Sequence, residues 1–414
     1  MLTVLLLLPR SVPAYDYPLD NPYAATIVGT PTDLQVELPN KIREKELKLA
    51  PLAGRELPGL FWYQQAFRYS LAYQKHKAPL IFIIAGTGAN YKAPKMQMMK
   101  KAFFQAGFHV VCLTSPTYAN FIVTASGSGM PGNIRDDSAD LYRVMSRIWQ
   151  DIDEQVEVSE FFLTGYSLGG AQAAFISQLD EEQKRFNFNK ILMINPPLSL
   201  FSSVGILDAM LEENIPGGAN NFNNFFNRTM AEFSAVYKES DWLIFNSDFL
   251  YRVYERGNSS DADMMALIGI SFRIAAADMV FTADVMNNAG YILPQNLELS
   301  STDSTTDYAK VAFRTSFLDY FDDLFLPFFQ NREPGLSRQA LIDQQSLASI
   351  EDYLATTEKI GMLHNADDVI LAPGELDYLT RILGPRAKIY PAGGHCGNME
   401  HRQNVKDMVE FFLP

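Results

Sequence analysis

Reactive side chains are scarce in this chain of 414 residues, which has five histidines and only two cysteines, Cys112 and Cys396. Two cysteines exclude a disulfide-built scaffold and a cysteine-rich metal site, and they say little about redox compartment. No His, Asp and Glu cluster has the spacing of metal ligands, so neither a metal nor another cofactor is expected. Positive charge is short as well. The chain carries 34 Lys and Arg against 48 Asp and Glu, a net charge of -14, which repels a nucleic-acid backbone and anionic lipid headgroups alike. Nucleic acid is therefore not an expected partner. There is no internal repeat and no charged tail, and Ser300–Asp307 is the one low-complexity patch, read as a surface loop. Beyond the first residues no run approaches the ~20 apolar residues of a membrane span, so no stable membrane insertion is expected. With 47% apolar and 20% charged residues, the composition is that of a soluble globular protein. The length allows two or three domains, or one large α/β domain with an insertion.

Met1–Leu8 is a short apolar run, and Val12-Pro13-Ala14 fits a signal-peptidase site before Tyr15. Residues 1–14 thus read as a secretory signal, although no Lys or Arg precedes the run; a buried N-terminal strand is the other reading. The expected location is periplasmic or secreted if the signal is real, and otherwise cytoplasmic. From Asp16 to about Lys48, short β-like runs (Ala25–Val28, Leu34–Leu38) broken by prolines predict an irregular β arm. Alternation between Leu60 and Tyr73 predicts an exposed antiparallel strand. From Pro79 buried-strand runs (Leu80–Ala85, His109–Leu113, Phe161–Leu163, Ile191–Ile194) alternate with helical spacing over Lys95–Gln105 and Asp136–Gln150. Such alternation predicts an α/β fold, a mostly parallel sheet flanked by helices. It stops at Asn195-Pro196-Pro197 and resumes at Ile360–Leu363, Gly374–Leu383, Ala387–Tyr390 and Asn398–Phe412. The expected organisation is a core of residues 15–197 and 359–414 interrupted by a helical insertion over 198–358.

Gly165-Tyr166-Ser167-Leu168-Gly169 lies directly after a predicted strand and before a predicted helix. Glycines flank a serine in this way where a sharp strand-to-helix turn lifts a nucleophilic hydroxyl above a sheet, with the helix N-terminus behind it. A serine needs an imidazole base. His395 is the histidine placed for that role, in the glycine-rich loop Pro391–Gly397 between the last strand and the last helix. His109 lies in a strand, His76 follows an exposed strand, His401 falls within a helix, and His364 ends a strand beside candidate acids. The imidazole in turn needs a carboxylate to hold its tautomer. Leu363–Ile370 offers two: Asp368 is favoured by setting Asn365 at the glycine of a G-x-x-D turn, whereas Ala-Asp-x-Val-Ile favours Asp367.

The order Ser167, Asp368, His395 resembles the α/β-hydrolase superfamily over about Pro79–Leu198 and Ile360–Pro414. The resemblance implies a serine esterase or lipase acting on a small-molecule ester or acyl substrate. It also implies an oxyanion hole from the amide of Leu168 and one from the loop Ala85–Asn90, either Thr87 or Gly88, where Ala85-Gly86 stands in place of the usual His-Gly opening. Acyl transfer, peptidase or amidase chemistry and a non-catalytic binding role remain alternatives on the same residues. The insertion falls where family members carry a helical lid. Its Phe222, Phe225, Phe226, Met230, Phe233, Met264, Met265, Met279, Phe321, Phe325, Phe328 and Phe329 either line an apolar substrate site or form the lid's own core.

Overall fold

A computed structural model describes residues 15–218, 221–225, 227–228 and 260–413. The signal-like segment 1–14 lies outside the described residues, as do Phe226, Met230 and Phe233.

The sheet has eight strands: β1 (Glu44–Leu49), β2 (Phe67–Ala72), β3 (Ala78–Ile84), β4 (His109–Leu113), β5 (Val158–Tyr166), β6 (Ile191–Ile194), β7 (Ile360–Asn365) and β8 (Ala387–Tyr390). Their spatial order is β1-β2-β4-β3-β5-β6-β7-β8. β2 runs antiparallel to both neighbours and every other pairing is parallel. This is the mostly parallel sheet flanked by helices that the alternation predicts. The continuous apolar runs are explained by burial on both faces. Leu80, Phe82 and Ile84 of β3 pack with Leu141, Met145 and Phe175 on one side. Ile81 and Ile83 pack with Met96, Phe103, Met408 and Phe412 on the other. Each such side chain, fully buried, contributes about 1.5–3 kcal/mol.

The helices follow their local signals. α1 (Pro22–Val28) has Pro22 in its first turn, and the side chain of Asn21 accepts from the amides of Tyr23 and Ala24. Those two features overrule the β-like run Ala25–Val28, so the N-terminal arm begins as a capped helix. The second run fares similarly: Thr32–Leu34 is a single 3-10 turn and Gln35 makes one isolated bridge to His401. α2 (Pro94–Gln105) and α3 (Ile134–Ile152) lie on opposite faces of the sheet, and α4 (Leu168–Gln183) leaves directly from β5. The strand expected over 60–73 is shorter and buried except at Arg68, because β2 is an inner strand covered by core side chains.

The chain leaves the sheet after β6 and returns at β7. Between them, α5 (Leu200–Glu212) packs across α6 (Asp261–Asn287), so closely that a β-carbon on Gly269 would lie 2.5 Å from the Leu211 amide nitrogen. Five short helices follow, Thr306–Ala312, Phe317–Tyr320, Leu326–Arg332, Arg338–Gln344 and Glu351–Thr356. The end of the insertion departs from a uniform lid: Leu347, Ile350 and Leu354 are buried in the main core beneath the sheet. α6 also corrects the hydropathy reading, being long and apolar enough to cross a membrane by length and composition. In the structure more than half of its most apolar 18-residue stretch is buried against protein. Mid-helix Arg273 is buried and paired with Asp208 at 2.9 Å and Glu212 at 3.0 Å. The chain closes with α7 (Glu375–Leu383) and α8 (Arg402–Phe412). α8 starts four residues later than expected because His401 is its N-cap, its Nδ1 accepting from the Gln403 amide.

Asp208 holds the insertion together twice over, since it also accepts from the amides of Phe317 and Leu318. Asp208→Ala should therefore strand a buried guanidinium and lower stability by about 3–5 kcal/mol. Denaturant unfolding checks this; a loss below about 1 kcal/mol would mean that the pair behaves like an exposed one.

Candidate active site

The turn after β5 is built by steric exclusion. A β-carbon on Gly165 would sit 2.3 Å from the Gly169 carbonyl oxygen, and one on Gly169 would sit 2.4 Å from that of Ile84. With strand and helix this close, Ser167 takes φ +54°, a left-handed conformation rare for a side chain bearing Cβ. Its amide donates to the Ile194 carbonyl at 2.8 Å, which pins the turn to the neighbouring strand. The Ser167 hydroxyl lies 2.9 Å from His395 Nε2.

On the other side of the ring, Nδ1 lies 3.0 and 3.1 Å from the two carboxylate oxygens of Asp368. Asp368 also accepts from the Asn195 side-chain amide at 3.0 Å and from the Ile370 amide at 3.2 Å. Asp367 points elsewhere, accepting from the amides of Gly393 and Gly394 at 3.1 and 2.9 Å. The two neighbouring acids therefore divide the work: Asp368 touches the imidazole, while Asp367 ties down the loop that carries it. Burial opposes charge on Asp368, but the His395 imidazole, as charge and as hydrogen-bond partner, more than offsets it and holds its carboxyl below the usual range. Burial likewise disfavours the His395 cation, and the Asp368 carboxylate, with the Cys396 sulfur nearby, reverses the balance and holds that cation above the usual range. Burial pushes the Asp367 carboxyl up.

The remaining histidines do not reach Ser167. His364 is buried behind Asp368; its Nδ1 accepts from the Asn365 amide and its Nε2 donates to the Pro196 carbonyl. Burial lowers its pKa, and it serves the site as packing and a neutral hydrogen-bonding group. His109 is buried in β4 between Gln74 and Glu157, His401 caps α8, and His76 is exposed.

Ser167 and His395 open into a cavity of about 230 Å³. Its apolar wall is Leu200, Val204 and Leu207 of α5, Ile268 and Phe272 of α6, and Ile370. The insertion thus covers the site, but not through the Phe and Met clusters. Among the described members of those clusters, Phe225 packs with Leu211 and Ile270, while Met279, Phe321, Phe325 and Phe329 pack with one another, and none lines the cavity. The clustered rings stabilise the insertion, while Phe272 and smaller aliphatic groups face the opening.

Leu168 and Thr87 both line the cavity. The Leu168 amide is in the first turn of α4, where no intrahelical acceptor exists. Of the two loop candidates Gly88 is the one the structure removes: its amide donates to Thr117 Oγ1 at 2.8 Å and it does not line the cavity. Thr26 was not legible as a site residue. It lies in α1, lines the cavity, and accepts the His395 amide on its hydroxyl at 2.9 Å while donating to the Pro22 carbonyl. No motif marks it, because only the packing of α1 on the histidine loop brings it there; a β-carbon on Gly394 would lie 2.2 Å from the Pro22 carbonyl oxygen. Among the described residues no His, Cys, Asp and Glu group could hold a metal ion.

No family model matches this chain, and no curated protein matches it. Solved structures do. One is DcsB in complex with its substrate analogue, 13% identical, covering 89% of this chain and 98% of that one with a TM-score of 0.46. Another is brefeldin A esterase, described as a bacterial homologue of human hormone sensitive lipase, 14% identical, covering 96% and 88% with a TM-score of 0.43. A third is a Pyrococcus furiosus esterase, 9% identical, covering 89% and 90% with a TM-score of 0.42.

The carboxylate assignment has a direct readout. NMR titration should find the His395 imidazole titrating above about 6.5, the ordinary histidine value. Asp368→Asn should bring it down, and Asp367→Asn should leave it raised; the opposite ranking would transfer the pairing to Asp367.

Proposed function

We propose that the protein is a serine hydrolase that cleaves a small carboxylic ester through an acyl-enzyme. The observation that carries this reading is the continuous hydrogen-bonded line from Ser167 Oγ through His395 to Asp368, opening into a covered apolar cavity. Ser167 Oγ attacks the carbonyl carbon while His395 Nε2 takes its proton. The negative charge that develops on the carbonyl oxygen is met by the amides of Leu168 and Thr87, at the positive end of the α4 dipole. His395 then gives its proton to the departing alkoxide, the carbon–oxygen bond breaks, and the acyl group stays on Ser167. Water, deprotonated by the same imidazole, repeats the attack and frees the acid. Asp368 supports the imidazolium in both halves without itself taking the proton.

Cavity size narrows the substrate. About 230 Å³ is below the ~300–1,000 Å³ of pockets that enclose drug-sized ligands. A short or medium acyl chain fits this volume better than a bulky lipid. Aliphatic walls would give each added methylene up to about 0.8 kcal/mol of burial, so kcat/KM on linear acyl esters should climb several-fold per CH₂ and then fall once the cavity is full.

Ser167→Ala should abolish fluorophosphonate labelling and lower kcat on activated esters by about 10⁴–10⁶ while the protein stays folded. Persistent labelling of the variant, or a wild type that never labels, would overturn the assignment. The pH profile follows from the electrostatics. Only neutral His395 accepts the serine proton, and Asp368 favours the cation, so activity should be lost as pH falls and its acidic limb should lie above the ~6.5 of free imidazole. Asp368→Asn should cut kcat by about 10³–10⁴ and move that limb to lower pH. A profile flat from pH 5 to 9 would contradict the base assignment.

A further inference from the structure

A second cavity, of about 450 Å³, lies on the far side of α6 from Ser167. Ile268 and Phe272 of α6 face the first cavity, whereas Ala277, Asp278 and Phe281 face the second. At about 3.6 residues per turn these are opposite faces of one helix. The far wall is the turn Gly59–Phe61 with Trp62 and Tyr63 behind it, and the rim comes from the segment 301–313.

Its chemistry is one-sided. Trp62 and Tyr63 stand 60% and 52% exposed, ring against ring edge-to-face with centroids 5.9 Å apart. Large aromatic groups left in water mark interaction sites when they are clustered. Two carboxylates line the same cavity and, among the described residues, no Lys, Arg or His does. Asp303 is occupied, accepting from the amide and hydroxyl of Ser300. Asp278 has neither a hydrogen bond nor a cation among the described residues, although it is solvent-accessible. Burial raises the Tyr63 phenol and the Asp278 charge adds to that, so the carboxylate lies within electrostatic reach of the ring pair. Among the described residues the cavity offers this carboxylate no cation.

We propose that this cavity binds a small organic ammonium ion, its cationic head lodged against the Trp62–Tyr63 ring pair with the Asp278 carboxylate as counter-charge. The alternatives fail on the same residues. An anion would face two carboxylates. Calcium or magnesium takes six or more oxygen ligands and zinc four N, S or O ligands, and one free carboxylate among aromatic rings provides neither set. A neutral apolar molecule would fill the space but make no use of the Asp278 charge. A quaternary head suits the site better than a primary one, because it is weakly hydrated, has no N–H to satisfy, and gains cation–π attraction from electron-rich rings. The proposal is independent of the ester-hydrolase reading, since it shares no lining residue with the Ser167 cavity.

The test is calorimetric titration of the whole protein with tetramethylammonium and with choline, alongside 3,3-dimethylbutan-1-ol, the uncharged carbon analogue of choline. Wild type should bind both cations saturably and the alcohol about tenfold more weakly or worse. Asp278→Asn and Trp62→Leu should each weaken cation binding by about tenfold; Trp62 is exposed, so its replacement keeps the readout available even if the Asp278 variant folds poorly. Absence of saturable cation binding, equal affinity for choline and the alcohol, or unchanged affinity in the folded variants would each overturn the proposal.

Discussion

The constraint on which the rest of the molecule depends is a backbone crossing with no room for a single β-carbon. α4 runs so close to β3 and β5 that Gly165 and Gly169 are held against carbonyl oxygens. That closeness forces Ser167 into a positive φ, a conformation that costs of the order of 1–3 kcal/mol and persists only when its surroundings over-determine it. They do so here through the flanking strands, whose side chains are almost wholly buried, and through the Ser167 amide bonded to Ile194. The same crossing aims the first amides of α4 at the space above the serine. Strain, the position of the serine and a positively polarised site are thus one geometric fact.

A second layer fixes the imidazole. The histidine loop is flexible by composition, yet its amides are taken up one by one: Gly393 and Gly394 by Asp367, His395 by Thr26. Asn365 and Asn398 bond each other, and Asn365 also donates to the Gly394 carbonyl. In a low-dielectric interior such a network is stabilising only when its members are satisfied. The N-terminal segment completes it, since Tyr15 accepts from Asn398 and donates to Asn404. Residues far apart in the chain thereby set the orientation of one ring.

The insertion separates stability from contact with the cavity. Its aromatic residues bury each other, and the Arg273–Asp208 pair ties α6, α5 and the Phe317–Tyr320 helix together. A segment that leaves the sheet for so long needs a core of its own, and large rings supply most area per residue for that purpose. α6 serves three surfaces at once: the insertion's core, the Ser167 cavity and the aromatic cavity beyond. This accounts for a helix apolar almost all round that nevertheless carries Arg273, Asp278 and Asp284.

The sequence by itself determined the features governed by local sterics and periodicity. Continuous apolar runs and the helical spacing between them define the parallel strands and the helices that cover them, because burial on both faces leaves no polar alternation to read. The glycines around Ser167 and the loop around His395 were legible for the same reason, each being required by a turn that only a few residue types can make. Tertiary structure decided what depends on approach between distant segments. Asp367 and Asp368 are adjacent and equally acidic, and only the packing of β7 against the histidine loop gives one to the ring and the other to the backbone. The Gly88 amide is occupied because Thr117 comes from another strand's end to accept it. Thr26 reaches the site through a helix that local β-like runs concealed. Which apolar side chains of the insertion face the cavity and which face each other was likewise settled by packing, since helical spacing reports that a residue is buried but not against what.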